Sequence, residues 1–407
     1  MTRRLLMSAQ PGELRAAWID DKRLIDLLIL RDDHPGLLGN VYRGRVAAID
    51  RGLEAAFVDI GAGADGLLPL SEAPGAKLTE GMAVTVRVVR DARADKGPRL
   101  TARLRGAPPD LEARAREAKP PHLLARGTDP VARLLGADPP PHEILVDHPD
   151  SFADLRARLA AADPALAASV KLDLDPEPLF ERPYLDGGGV EEAIEALLQP
   201  EAALPSGGRL LIEPTRAMIV IDVDSAGHRG GEAGQALALA VDLEAAVEIP
   251  RQLRLRALSG LAVIDFLELR GRVDRKQVVD ALRAGAKGDR EPCRVFAMSV
   301  SGLVEMTRRR GAPALHEILT APCGLAGSGR AKTPATLAFE ALRAARRAAT
   351  HDPGAVLTLR MAPLALAALD GPAAAARADL EARLGQPLRL VPEPDPEAPD
   401  YEIIPGR

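Results

Sequence analysis

Ala217-Met-Ile-Val-Ile-Asp222-Val-Asp224-Ser225 and Leu261-Ala-Val-Ile-Asp265-Phe266 are the stretches that decide how this chain folds. Each is a short apolar run rich in Ile and Val, the pattern of a buried strand, and each ends in an acid. Asp222 and Asp265 stand 43 positions apart. A carboxylate at the end of a buried strand is costly without a partner, and a bound cation is the usual one. Two such strands in one sheet would bring Asp222 and Asp265 to one edge. Side chains alternate along a strand, so Asp222 and Asp224 share a face. The resulting site is hard and oxygen-only, suited to Mg²⁺. The plainer alternative is a pair of solvent-facing strand-end caps.

Working outward, the 407 residues have room for about two to four domains. Hydrophobic residues make up 46% and charged residues 27%, a globular balance, while aromatics are only 2%, so the core must be aliphatic. The net charge of −5 gives no global signal for nucleic acid, so any polyanion contact must come from local basic patches. Cys293 and Cys323 are the only cysteines. That excludes a disulfide scaffold, fits a reducing compartment and points to the cytoplasm. No signal peptide is expected, and no apolar run approaches the ~18 residues of a membrane span.

Residues 1–35 alternate as strands. Residues 38–103 read as consecutive short strands with turn signals, among them Val41-Tyr-Arg-Gly-Arg-Val46 and Glu54-Ala-Ala-Phe-Val-Asp-Ile60. That spacing suggests a small antiparallel barrel of the OB type. Residues 104–140 are polar and Pro-rich around a helical stretch. Glu143-Ile-Leu-Val146, a helix near Phe152 to Ala161 and Val170-Lys-Leu-Asp-Leu174 form a small α/β unit. A helix over roughly 231–256 joins the two acid-tipped strands. A third apolar strand, Arg294-Val-Phe-Ala-Met298, precedes the basic run Thr307-Arg-Arg-Arg310. A Gly-rich connector, an Ala-rich helix, the strand Ala355-Val-Leu-Thr-Leu359 and an acidic, Pro-rich tail from Pro392 complete the chain.

Several motifs now stand in order: Leu204-Pro-Ser-Gly-Gly208, Ile221-Asp-Val-Asp-Ser225, Arg251-Gln-Leu-Arg-Leu-Arg256, Val263-Ile-Asp-Phe266 and Gly302-Leu-Val-Glu-Met-Thr-Arg308. In order and spacing they resemble the catalytic region of the ribonuclease E/G family of bacterial endoribonucleases. Gly39-Asn-Val-Tyr-Arg-Gly-Arg45 and Leu53-Glu-Ala-Ala-Phe-Val-Asp59 resemble its S1 domain. The resemblance covers nearly the whole chain and implies an α/β multidomain architecture. Residues 1–36 would open an RNase H-like subdomain, into which an S1 (OB-fold) barrel, 37–103, is inserted. Its second part would be 104–185, followed by a DNase I-like catalytic subdomain at 186–318. A zinc-link connector at 319–330 and a small α/β C-terminal domain at 331–407 would follow. The resemblance also implies hydrolysis of single-stranded RNA, preferably A/U-rich, leaving a 5′-phosphate and a 3′-hydroxyl. The family's two Mg²⁺-binding aspartates match Asp222 and Asp265.

The chain departs from that family in instructive ways. Lys96-Gly-Pro-Arg-Leu-Thr101 closes the barrel, and only a short segment precedes Glu143-Ile-Leu-Val-Asp147, so the family's 5′-sensor is expected to be missing or a remnant. The family's metal-site asparagine is Asp224. The zinc-link pattern Cys-Pro-x-Cys reads Cys323-Gly-Leu-Ala326, and one thiolate per chain cannot complete a shared tetrahedral set. Zinc is therefore not expected, nor a zinc-linked tetramer; a homodimer stays open. An aromatic of the S1 surface is Leu67 here, and a basic position is Pro292. No scaffold tail for a degradosome is expected.

The expected chemistry is Mg²⁺-assisted attack of water on a phosphodiester, with Asp222 and Asp265 holding the metal and Asp224 beside them. The seven histidines are scattered, so no paired-histidine ribonuclease is indicated; His228, near the site, takes no role. For RNA binding, Tyr42 and Phe57 are the stacking candidates, and Arg43, Arg45, Lys96, Arg308 and Arg310 the phosphate candidates. Against these stand core roles for Tyr42 and Phe57 and an ordinary solvated run for Arg308 to Arg310. The expectation is a compact endoribonuclease acting in RNA processing or decay, independent of the 5′ end. The competing classes are a catalytically weak or inactive S1-domain RNA-binding protein and, from the core alone, a DNase.

Overall fold

A computed structural model describes residues 3–406 except 35, 74, 76, 92–96, 105, 107–109, 128, 137–138, 176, 226–231, 324–328, 353 and 396–399. The chain divides into two compact units: Met1–Pro35, Ala137–Arg308 and Ala314–Arg407 form one, and Gly36–Gly136 with Arg309–Pro313 the other.

The first unit opens with a five-stranded sheet in the order Val170–Leu172, Glu143–Val146, Arg3–Gln10, Glu13–Asp20, Arg23–Arg31. The first three strands are parallel, and the last two return as an antiparallel meander. Leu6, Ile19 and Ile29 pack there against Ile194 and Leu197 of the helix Val190–Leu198.

Its six-stranded sheet runs Glu201–Ala203, Arg209–Pro214, Ile219–Asp224, Gly260–Asp265, Leu303–Arg308, Cys293–Val295. Ile219–Asp224 and Gly260–Asp265 run parallel, which requires a crossover, and the helix Glu232–Leu255 supplies it. Alternation decides the faces. Ile219, Ile221 and Val223 point inward while Val220 and Asp222 are exposed. Ile264, Val304 and Met306 complete the inward layer. The helix Arg272–Ala286 covers it with Val278, Val279, Leu282 and Ala286, spaced along one helical face. The third apolar strand is shorter than expected: it ends at Val295, although the Phe296 N–H still donates to the Glu305 carbonyl at 2.9 Å.

The Arg251-to-Arg256 motif is scaffold. Arg251 donates to the Leu24 carbonyl at 2.6 Å, and Arg254 to that of Ile25 at 2.9 Å. Arg256 bonds Gln252 at 2.9 Å and the Glu201 carbonyl at 3.3 Å. These bonds tie the long helix to the strand Arg23–Arg31 and to the edge of its own sheet.

A ribbon of Thr320–Pro322 and Arg330–Lys332 leads to the C-terminal subdomain. There a sheet ordered Arg389–Pro392, Val356–Met361, Tyr401–Gly406 packs with three helices around Phe339. The tail beyond Pro392 does not simply trail away, because Tyr401–Gly406 pairs back onto Val356–Met361.

In the second unit five strands close into a barrel: Val41–Asp50, Ala55–Asp59, Gly66–Pro69, Arg99–Thr101 and Ala83–Arg90. Closure comes from Val41–Asp50, which pairs with both Ala55–Asp59 and Ala83–Arg90. Val46, Ala56, Val58, Leu68, Val86 and Leu100 fill it. A sixth strand, His122–Ala125, joins at Val41 to Arg43. The stretch 104–136, read from sequence as part of the following subdomain, belongs to this unit. Among the described residues no helix is long and apolar enough to cross a membrane.

Candidate functional site

Asp222 and Asp265 are register partners on the two parallel strands, and both are exposed. Neighbouring strands lie ~4.8 Å apart, so the two carboxylates leave the sheet side by side. They stand on the face opposite the helices. The desolvation cost invoked from sequence therefore does not fall on them. What the fold supplies is adjacency on an open face.

Asp224 shares that face and is half-buried. It is register partner to Arg209, whose Nε and Nη2 lie 2.9 and 2.8 Å from Asp224 Oδ2. Arg209 Nη1 also stands 3.6 Å from Glu201. The hydrogen bond and charge of Asp224, with Glu201 and Asp222 beyond, hold the Arg209 guanidinium above its usual range. Sequence reading missed Arg209, because its partner lies across the sheet.

The Leu204-to-Gly208 motif is the turn that delivers Arg209. Gly207 adopts φ +91°, open to glycine, and Leu204 N–H donates to the Gly208 carbonyl at 2.8 Å. A Cβ at Gly208 would lie 2.9 Å from the Asp224 carbonyl oxygen and 3.0 Å from Val241. Ser206 N–H reaches Glu244 of the long helix at 2.9 Å.

The same helix holds the exit from Asp265. Asp242 is fully buried, and its Oδ1 accepts the Leu267 N–H at 3.1 Å. Among the described residues its Oδ2 has no hydrogen-bond partner. Burial pushes the Asp242 carboxyl up to about 7. Gln235 clamps the next residues, donating to the Glu268 carbonyl and accepting from Arg270 N–H, each at 3.1 Å.

The structure corrects two expected RNA contacts. Arg308 is only 4% exposed, fork-paired to Asp289 at 2.8 and 2.9 Å, and bonded to the Leu258 carbonyl at 3.0 Å. Its strand position faces the core, so it is an internal ion pair. Tyr42 is 7% exposed in the barrel core, and its hydroxyl accepts from Asn40 at 3.3 Å. A buried ring offers no stacking platform.

Other barrel candidates share an outer face. Phe57 is half-buried, and its register partner on the next strand is Leu67. Arg45 is exposed opposite Asp59, and Arg43 donates to Thr85 at 3.1 Å. Arg310 is half-buried and belongs to the barrel's unit, not to that of Arg308. Lys96, His228 and residues 324–328 of the connector lie outside the described residues.

Asp222 and Asp265 suit a hard cation: the donors are all oxygen, they are adjacent and they are open to solvent. Mg²⁺ keeps several waters, so two carboxylates suffice. A group of three carboxylates lies elsewhere: Glu191, Glu195 and Glu340 have ligand atoms within 4.8 Å of one another. It is internally compensated. Arg15 lies 2.8 Å from Glu191, and Lys332 binds both Glu195 and Glu340. Arg15 and Arg343 bring the Glu191 carboxyl down to about 2 against the opposing effect of burial.

The sequence profile of the Ribonuclease E/G family matches residues 75–311. Ribonuclease E of Haemophilus influenzae is 30% identical over 84% of this chain and 45% of its own length. Ribonuclease E of Escherichia coli K12 is 29% identical over 99% of this chain and 46% of its own length. Ribonuclease G of the same strain is 26% identical over 99% of this chain and 100% of its own length. The chain thus spans about half the length of the ribonuclease E relatives and the whole of ribonuclease G. A match over more than half of the residues, containing both strands that carry the acid pair, shows that the chain belongs to the ribonuclease E/G family.

Proposed function

We propose that this protein is an endoribonuclease that cuts single-stranded RNA in RNA processing or decay, with Mg²⁺ held by Asp222 and Asp265. One observation carries the reading: these two acids are adjacent register partners on one exposed sheet face, within the span that matches the family. When bound, Mg²⁺ supplies Lewis acidity toward a phosphate and makes water a better nucleophile near neutral pH. The chain's own residues do the rest. Asp242 and Gln235 fix the backbone that leaves Asp265. Arg209 balances Asp224 at the edge of the site. In this reading the barrel is an S1 domain that takes single strands on the outer face carrying Phe57, Arg43 and Arg45. The six-stranded sheet is the DNase I-like part, and the five-stranded sheet, with its antiparallel meander beside parallel strands, is the RNase H-like part. The products would carry 5′-phosphate and 3′-hydroxyl ends, and cutting would not depend on the state of the 5′ end.

A labelled A/U-rich strand tests this. Mg²⁺-dependent cleavage is expected, with a loss of at least ~100-fold in Asp222→Asn and Asp265→Asn, the scale of removing a major transition-state interaction. Equal rates in wild type and both variants would overturn the assignment of the acid pair. Binding without cleavage by the wild type would identify an RNA-binding protein instead. Strands ending in 5′-hydroxyl and 5′-monophosphate should be cut at similar rates, and a strong monophosphate preference would refute 5′-end independence.

A further inference from the structure

We propose that Arg209 is a positioning residue of this site, holding Asp224 in an ion pair that keeps the extra carboxylate's charge from opposing the RNA phosphate. The inference rests on the reading of Asp222 and Asp265 as the phosphodiester site. Asp224 is two residues from Asp222 on the same strand face. Residues at that spacing are ~7 Å apart along a strand, close enough to act on the same phosphate. The family resemblance expects an uncharged asparagine there. An uncompensated carboxylate at that distance weakens phosphate binding by about threefold to tenfold.

The sheet supplies the compensation. Arg209 is the register partner of Asp224 on the neighbouring strand, and two of its nitrogens converge on one carboxylate oxygen at 2.8 and 2.9 Å. Its position is set by the Gly207-Gly208 turn and not by a flexible loop. Glu201, at 3.6 Å, flanks it on the other side. Arg209 thus acts through Asp224, and the pair stands at the rim of the acid pair with Glu201 sharing the guanidinium.

The test is a double-mutant cycle with Arg209→Ala, Asp224→Asn and both together. The probes are a short labelled A/U-rich strand in EDTA, followed by anisotropy, and Mn²⁺ alone, followed by its electron paramagnetic resonance signal. Arg209→Ala should weaken RNA binding by about threefold to tenfold and tighten Mn²⁺ binding by about twofold to threefold, because the Asp224 charge is unmasked. Adding Asp224→Asn should restore both to the values of the Asp224→Asn single variant. The proposal is overturned if Arg209→Ala changes neither quantity. It is equally overturned if the loss is the same with and without Asp224→Asn, since Arg209 would then act on RNA or strand pairing directly. Neither readout needs cleavage, so a protein that never cuts RNA refutes the nuclease reading without deciding this one.

Discussion

Arg308 and Asp289 form a fork-to-carboxylate ion pair inside the protein, with side chains 3% and 0% exposed. The pair joins the strand Leu303–Arg308 to the turn after the helix Arg272–Ala286, and Arg308 also satisfies the Leu258 carbonyl. Removing one partner strands a buried charge, at a cost of about 3–5 kcal/mol. Arg308→Met should therefore lower the midpoint of guanidinium unfolding sharply. Arg308→Met with Asp289→Leu should recover most of the loss, because no charge is left stranded. Equal losses in the single and double variants would contradict a pairwise origin.

That pair marks where sequence reading stops. Strand parity was legible: Ile219, Ile221 and Val223 are inward, which leaves Asp222 and Asp224 on the open face. The same parity, applied to Leu303–Arg308, puts Val304, Met306 and Arg308 inward. The basic run concealed this, since a row of arginines reads as a solvated surface. Tyr42 is parallel, sitting on the buried side of a strand whose other face carries Arg43 and Arg45. The Arg209–Asp224 contact was not legible, because antiparallel register between separate strands is long-range information. Nor was the strand His122–Ala125, four residues long in a Pro-rich stretch with no alternation to report it.

Gly208 lies against the backbone of Asp224, and backbone cannot swing aside as a side chain can. Gly208→Ala would put a methyl 2.9 Å from that carbonyl oxygen. Overpacking of this kind costs about 1–3 kcal/mol. The strain falls on the site, so cleavage should drop by about tenfold or more while the barrel's RNA affinity holds. Parallel measurement of cleavage rate and RNA binding separates the two. A variant with unchanged cleavage would show that Asp224 tolerates displacement.

Phe57 and Leu67 are cross-strand partners on the outer face of the barrel. If that face stacks bases, Leu67→Phe adds a second ring beside the first. Base–aromatic stacking contributes about 1–3 kcal/mol per base, so single-strand affinity should rise at least about fivefold. Phe57→Ala should lower it comparably. Anisotropy with a labelled oligonucleotide reads both, and affinities unmoved by either change would take RNA off this face.

Asp242 ties the long helix to the backbone beyond Asp265 and titrates there in the physiological range. Burial raises its carboxyl from 3.8 to about 7, so the folded protein holds this proton more tightly than the unfolded chain. Its contribution to stability therefore falls as pH rises from about 4 to about 7, and the penalty is complete above that. The shift bounds the effect at about 4 kcal/mol, and local hydration of the ionised form lowers it. Asp242→Asn keeps an acceptor for Leu267 N–H, matches the shape of the protonated acid and cannot ionise. It should exceed the wild type in thermal stability by a small margin at pH 5, where part of the penalty is already present, and by a larger one at pH 8. Asp242→Leu removes the acceptor and orphans the Leu267 N–H, so it should fall about 1–3 kcal/mol below Asp242→Asn at both pH values. Stability profiles of wild type and Asp242→Asn that run parallel from pH 5 to pH 8 would rule out this titration.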